Sequence, residues 1–430
     1  MIEKLLKRAK EEKLDLEIYS IKNNETTIEY LEEKMVNFKI QNIKKYKIKA
    51  IVDGIAVEIT TLDISSPDDI IEQLKIARKL TDELDEVTLA TKEKIELKDR
   101  KVLSFDTNEI KNNLKSFNHE LKEKYSEVFS IRSEFNFEQD DYEIYNTNGT
   151  NLKDSNYHAY YYTDVVLKIN EQNLEFYRFL MDKNLDFEKF KRKVEEDLIN
   201  TLNKVGAKSI VTDKYDILLE NKSVYDILNA LAMDFHARNI SKKQSVFTDK
   251  LGEKIFSNKI NIVEDPANDK LIGTRLFDDE GVKTYFKKIV DKGVFTTELY
   301  DKKYARKDNV KSTGNSYGVR NLYIEPGKKS EDELLEKVEK GIYVEKLLGI
   351  HSGINHLTGD MSIQCEGFKI ENGKKTIPVN QIVLSTNIFE LFGNVKEIAN
   401  NLEFFGSTGG APSMLINNIT IAGKEEWYYG

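Results

Sequence analysis

Residues 47–62 read "KIKAIVDGIAVEITTL", two runs of alternating apolar and polar residues joined across Asp53-Gly54. Strict alternation suits a strand with one buried face, and Asp-Gly is a favoured two-residue hairpin turn. Working outward, "LEIYSI" (16–21) and "TTIEYLE" (26–32) are further strands, with the turn residues "KNNE" between them. Residues 2–13 carry Ile2, Leu5, Leu6 and Ala9 on one helical face. "SSPDDIIEQLKIARKLTDEL" (65–84) opens with serine and proline, a helix start, and places Ile70, Ile71, Leu74 and Ala77 together. Residues 1–95 are therefore expected to form an N-terminal α/β unit.

A second unit is expected over 100–215. It has a polar helix at 107–125, the strands "EVFSIRSEFNFE" (127–138) and "YEIYNTNGTNL" (142–152), and a probable-turn dipeptide, Asn148-Gly149. The aromatic strand "YHAYYYTDVVLKI" (157–169) and a helix at 185–205 ending at Gly206 complete it. Tyr157, Tyr160, Tyr161 and Tyr162 have no basic interleaving, so cross-strand packing explains them better than base stacking. From 220 to 430 the texture changes. The helix 222–238, with Val224, Ile227, Leu228, Leu231 and Phe235 as its buried stripe, is followed by short apolar runs separated by Gly and Asn/Asp turns. That pattern predicts a largely antiparallel β-rich domain interrupted by helices at 330–341 and 388–400. The fold class expected is α+β, and a break between the halves is expected at 206–222.

The chain has 430 residues, too many for one core. Apolar residues make up 40% and charged residues 32%, with only five prolines, which argues against long disordered stretches. Lys+Arg 65 against Asp+Glu 74 leaves a net charge of −9, so bulk charge gives no support to direct nucleic-acid or anionic-membrane binding. The basic stretch Ile43–Lys47 reads as a solvated strand edge. The single cysteine, Cys365, rules out an intrachain disulfide. With no apolar leader or spanning run, a cytoplasmic protein is expected.

Two of the five histidines, His351 and His356 in "HSGINH", share the spacing of the zinc signature H-E-x-x-x-H. Ser352 stands where the general-base glutamate would be, and Ser, Gly and Asn between them read as a loop. His351, His356 and Asp360 remain a weak candidate metal set. His119-Glu120 has Lys124 where a second ligand would stand, and His236 is read as a capping or surface residue. No Gly-rich phosphate loop or nucleophile elbow occurs, and no catalytic residue is assigned.

The C-terminal half carries an ordered series of phrases: "KLGEKI" (250–255), "FDDEG" (277–281), "ARK" (305–307), "STGN" (312–315), "GIYV" (341–344), "GINHLTGD" (353–360), "IENGK" (370–374) and "PSMLINNITIAG" (412–423). Together these resemble the TldD/PmbA family. The resemblance implies two kinds of member. The TldD kind carries H-E-x-x-x-H on the helix before the "KLGEKI" region and a cysteine near the C-terminus. The PmbA kind, also called TldE, lacks these and pairs with the first. Counting back from "SVF" (245–247), Leu228 and Met233 stand where the histidines would be and Asn229 where the glutamate would be. The chain thus resembles the metal-less PmbA (TldE) kind.

What the resemblance implies is a subunit without cofactor of a zinc metallopeptidase assembly acting on unstructured peptides. Zinc is expected in a metal-bearing TldD-type partner, and the protein is expected as a heterodimer or, paired with itself, a homodimer. The alternative is a stand-alone homodimeric peptide-binding or regulatory protein, the family having also been named for modulating DNA gyrase. Loops carrying Asp278, Asp279 and Glu280, Thr313 and Gly314, and Asn355, Thr358, Gly359 and Asp360 are the expected peptide-contacting sites. At 353–360 a structural turn is the first reading, with Gly353 and Gly359 supplying φ > 0.

Overall fold

The computed structural model of the chain describes residues 1–80, 89–92, 95, 103–170 and 172–424. The chain is α+β and divides into two compact units. The first comprises Met1–Lys191 together with Thr274–Tyr285 and Tyr300–Tyr317. The second comprises Arg192–Gly273, Phe286–Leu299 and the residues from Gly318 onward. Apart from Ile95, the boundary read at 95–100 lies outside the described residues.

Along the first unit run α1 (Ile2–Glu11), β1 (Asp15–Leu31), β2 (Lys34–Val52), β3 (Ile55–Thr61), α2 (Pro67–Lys79), α3 (Thr107–Lys124), β4 (Val128–Asn146), β5 (Asn151–Ile169) and β6 (Gln172–Asp182). α4 (Phe187–Asn203) follows. One antiparallel sheet, ordered β3-β2-β1-β4-β5-β6, passes through both N-terminal stretches because β1 pairs β4 from Glu17 to Leu31. Asp53 and Gly54 both take positive φ, +50° and +78°, as a type I′ turn requires. The apolar positions of 47–62 then fall inward: Ile48, Ala50, Val52 and Val57 pack with Leu5 and Ala9 of α1 and Ile70, Ile71 and Leu74 of α2. The tyrosine cluster pairs across strands, Tyr160 with Phe179 at 4.9 Å and Tyr161 with Phe135 at 5.4 Å.

The second unit contains β7 (Asp213–Leu219), α5 (Asn221–Ala230), a 3-10 turn (Ala232–Phe235), α6 (Ala237–Ser241), β8 (Ile262–Glu264), β9 (Lys287–Asp291) and β10 (Val294–Phe295). α7 (Lys302–Lys307) lies in a segment of the first unit. After it come β11 (Leu322–Ile324), α8 (Glu331–Leu335), β12 (Lys340–Leu348), α9 (Ile350–Gly353), β13 (Asp360–Glu371) and β14 (Lys374–Asn387). α10 (Ile388–Gly393), β15 (Val395–Ile398), β16 (Glu403–Phe404), β17 (Gly409–Ala411) and β18 (Met414–Ala422) end the chain's described part.

These strands form two sheets, β10-β9-β8-β11-β17-β16 and β14-β13-β12-β7-β18-β15. An added β14–β18 pairing closes β7, β12, β13, β14 and β18 into a ring. Most pairs are antiparallel, while β7–β12 and β11–β17 are parallel. The ring's inward residues, among them Ile217, Ile342, Ile363, Cys365 and Ile382, join α5 in one core.

Three helices are shorter than predicted. The helix expected at 330–341 stops at Leu335, despite a capping box of Ser330 and Glu333. Gly341 instead begins the close approach of β12 to β7; a Cβ there would lie 2.3 Å from the Asp216 carbonyl oxygen. The helix expected at 388–400 ends at Gly393, because Val395 and Ile398 pair with β18. The helix expected at 222–238 breaks after Ala230 into the 3-10 turn.

Candidate functional site

The candidate peptide-contacting residues fall into two groups, one in each unit. In the first unit, Asp278 is fully buried and its Oδ1 accepts from the Glu280 and Val282 amides at 3.0 and 2.9 Å. Its Oδ2 accepts from the Ser316 amide at 3.1 Å. Burial pushes this carboxyl up from its ordinary value, against the pull of those amides. Glu280 Oε2 accepts from the Lys302 amide at 2.8 Å, and the Lys302 ammonium donates back to the Glu280 carbonyl at 2.9 Å. Asp279 Oδ1 lies 2.7 Å from Nη2 of Arg275, whose guanidinium is buried, donates to the Tyr19 hydroxyl at 2.6 Å and stacks 4.2 Å from the Tyr142 ring centroid. Thr313 Oγ1 accepts from the Tyr300 amide at 2.7 Å and donates to Asn315 Oδ1 at 2.7 Å. Gly314 adopts φ +77°, and a Cβ there would lie 3.0 Å from the Lys283 carbonyl oxygen. These side chains fasten their own turns together. The Arg275 cluster, which sequence reading missed, is an ordinary "TRLF" in the primary structure.

In the second unit, the 353–360 phrase folds as an Asx turn. Asn355 Oδ1 accepts from the Leu357 and Thr358 amides at 2.9 and 3.3 Å, and the Asn355 carbonyl accepts from the Gly359 amide at 2.8 Å. Thr358 Oγ1 donates to one oxygen of Asp360 at 2.7 Å, and Asn387 Nδ2 donates to the other at 3.0 Å. Those bonds, Thr358's first, hold the exposed Asp360 carboxyl below its usual value. Gly359 takes φ +79°, as expected. Gly353 does not: it ends α9, and its lack of a side chain serves close packing, since a Cβ would lie 2.6 Å from Ile363 Cγ1. Beside this turn opens a groove of about 830 Å³, lined by Ser352, Asn355, Asp360, Ser362, Ser385 and Glu390 among others. Ser362 and Ser385 are cross-strand partners on β13 and β14. The polar alternation "MSIQC" (361–365) could have flagged Ser362.

The two histidines of "HSGINH" part company. His351 sits exposed on α9, whereas His356 Nδ1 lies 2.7 Å from Oδ2 of Asp234 in the 3-10 turn. Burial raises the Asp234 carboxyl to about 6, with His356 pulling the other way. This pair was not legible in sequence, where 122 positions separate its members.

The zinc held by the family's metal-bearing members does not fit the residues here. Leu228 is buried in the core, Asn229 and Met233 are exposed, and the helix ends between them. His236 is buried, and its Nδ1 caps α6 by accepting from the Arg238 amide at 3.1 Å, so the capping reading describes it and the surface reading does not. Cys365 is fully buried with its thiol pushed up to about 12 by burial, far from thiolate character. Among the described residues, no group of three or more His, Cys, Asp or Glu is placed to share a metal ion. Nor is any helix among them long and apolar enough to cross a membrane.

Residues 212–423 match the profile of the PmbA/TldA metallopeptidase C-terminal domain. The chain is 29% identical over 249 residues to "Metalloprotease PmbA homolog" of Buchnera aphidicola subsp. Baizongia pistaciae, a match covering 57% of this chain and 55% of that protein. It therefore spans about half the length of that relative. A solved structure described as a putative modulator of a DNA gyrase, from Thermotoga maritima, superposes with a TM-score of 0.87 at 23% identity, covering 98% of this chain and 99% of the other. TldE from Thermococcus kodakarensis superposes with a TM-score of 0.84 at 21% identity, covering 98% and 100%. At these identities the two likenesses establish the fold alone. With the ordered phrases and the matching profile together, the C-terminal half of the chain, residues 212–423, belongs to the TldD/PmbA family.

Proposed function

We propose that this chain is a PmbA (TldE)-like, non-catalytic subunit of a zinc metallopeptidase assembly that degrades unstructured peptides. The observation that carries the reading is the stretch 228–236. Where the metal-bearing kind has its ligands, this chain has a core leucine, an asparagine and an exposed methionine on a helix that breaks at Ala230. Without a metal-ligand set or a base in place of the missing glutamate, it has no means to activate water. Its contribution is to hold peptide. The groove beside Asp360 offers hydroxyls and carboxylates that can hold a peptide. A metal-bearing TldD-type homologue is the proposed partner, in the cytoplasm, with zinc on the partner only.

The test is reconstitution with an unfolded peptide: this protein alone, the metal-bearing homologue alone, and both together, each with and without chelator. Cleavage is expected from the mixture, at a rate above the homologue alone, and none from this protein. Chelator-insensitive cleavage by this protein alone overturns the non-catalytic reading. Equal rates for the homologue with and without it overturn the assembly and leave a stand-alone peptide-binding or regulatory protein.

A further inference from the structure

In the first unit, β4 carries a polar strip on one face of the sheet. Side chains alternate across a strand, so Phe135 and Phe137 turn one way and Glu134, Asn136 and Glu138 the other. The phenylalanine face is covered: Phe135 meets Tyr161, which packs on Phe187 and Phe190 of α4 at 5.0 and 5.2 Å. On the polar face Glu134, Asn136 and Glu138 stand directly opposite Tyr162, Tyr160 and His158 of β5. Among the described residues, every hydrogen-bond, ion-pair and ring partner of these six side chains belongs to the same sheet.

The acids of this face differ in their partners. Glu25 is paired with Lys39 and Glu29 with Arg132, whereas Glu134 and Glu138 have no lysine or arginine partner among the described residues. The Tyr160 hydroxyl donates to Glu134 Oε1 at 2.6 Å, and His158 Nε2 lies 3.3 Å from Glu138 Oε2. Each carboxylate is thereby oriented and keeps acceptor capacity. Asn136, between them, is 4% exposed. Its Nδ2 donates to Thr27 Oγ1 at 3.0 Å and to Glu25 Oε1 at 3.2 Å, while its buried Oδ1 has no donor. Turning the amide over would set its oxygen against the Glu25 carboxylate, so the acceptor stays the orphan. A buried acceptor without a donor is costly, and an N–H brought by a ligand would relieve it. Tyr162 stacks on Tyr177 at 6.3 Å, with Tyr177 53% exposed, and such aromatic faces attract a cation.

We propose that this strip binds an extended peptide through two basic side chains four positions apart, one on Glu134 and one on Glu138, with the residue midway between them donating to Asn136 Oδ1. The spacing is that of the strand itself. Four residues span roughly 13 Å, and an extended peptide repeats that distance with positions i, i+2 and i+4 on one side. Charge selects the guest, since carboxylates without basic partners beside aromatic rings attract an ammonium or guanidinium and repel an acidic segment. A shared metal ion does not fit, because no group of three or more His, Cys, Asp or Glu is placed to hold one among the described residues. The strip belongs to the first unit and the groove beside Asp360 to the second, so the inference goes beyond the proposed subunit role and is tested without a partner.

Fluorescence anisotropy on the full-length protein tests it, with a labelled unstructured peptide carrying two lysines four positions apart as the probe. The comparisons are a twin with norleucine at both positions and a peptide with its lysines five apart, which an extended chain sends to opposite sides. The first peptide is expected to bind about tenfold or more tightly than either. Glu134→Gln and Glu138→Gln each keep an acceptor for the neighbouring Tyr160 or His158, and each is expected to weaken that binding about tenfold with circular dichroism unchanged. Glu123→Gln, at an exposed acid of α3, is expected to leave it as it was. Equal affinity for the three peptides overturns the proposal. So does binding that Glu123→Gln weakens as much as the strip variants, the mark of unspecific attraction to an acidic protein, and so does no measurable binding of the first peptide. Any of these results leaves the reconstitution outcome, and with it the subunit role, untouched.

Discussion

Asp234 carries the clearest pH signature in the chain. Its carboxyl titrates near 6 in the folded protein, against an ordinary 3.8, because burial outweighs the bond from His356. A raised acid holds its proton more tightly folded than unfolded. Its contribution to stability is therefore complete below about pH 4 and is lost as pH rises through 6. The expected outcome is that wild type loses on the order of 2–3 kcal/mol relative to Asp234→Asn between pH 4 and pH 7. Urea unfolding of both proteins across that range measures it, and parallel stability curves would contradict the assignment. The same residue shows why sequence reading stopped short. "HSGINH" attracted notice for the spacing of its histidines, yet His356 answers to Asp234, and no local pattern announces a partner 122 positions away. Asn355, Thr358 and Asp360 were legible for the opposite reason. Their bonds close within five residues and with the adjoining Asn387, so turn chemistry alone anticipates them.

At the scale of elements, the decisive one is α5 with the 3-10 turn after it. Its apolar stripe was readable from period alone, and Val224, Ile227, Leu228, Leu231 and Phe235 are all buried. Its length was not. Leu231 N–H bonds the Ile227 carbonyl, but Asp234 N–H reaches only to Leu231, and the winding tightens. Leu228 consequently faces the core while Met233 faces out. Restoring the signature by Leu228→His, Asn229→Glu and Met233→His is therefore expected to create no stoichiometric zinc site. It should cost about 2–4 kcal/mol of stability, through loss of a core leucine and burial of an imidazole. Elemental analysis of the folded triple variant is the check; one tightly held zinc per chain would mean the helix rewinds to suit the ligands. The predicted helices at 330–341 and 388–400 failed for a related reason. Helical spacing continued past Leu335 and Gly393, but strand partners on β7, β13 and β18 claimed the following residues.

For the molecule as a whole, the open question is how the chain's stability is partitioned. Sequence texture places the break at 206–222. The compact units instead change over after Lys191, and 274–285 and 300–317 belong with the N-terminal sheet. We propose that these two segments exchange as part of the first unit. Their anchors are Leu276 N–H on Asp154 at 2.8 Å, the Arg275–Tyr19 bond, and Lys302 Nζ on the Leu89 carbonyl at 3.3 Å. Hydrogen exchange should show amides in 274–285 and 300–317 opening with β1 and β4 rather than with flanking 262–273 and 286–299. Opening in step with those flanks would support a division of the chain in simple sequence order.

By itself the sequence determined the α+β class, the 47–62 hairpin, the buried stripes of α1, α2 and α5, and the family, because each is written in short-range periodicity, turn chemistry or ordered phrases. Only the tertiary structure decided that β1 and β4 unite the N-terminal stretches, that β14 meets β18 to close a ring, and that Arg275 lies buried among tyrosines. It also decided that His356 pairs with Asp234 and that residues 34–45 of β2, paired with β1, have no strand on their other side among the described residues. Those outcomes depend on which distant surfaces win the competition for apolar burial and backbone hydrogen bonds, and that competition has no local trace.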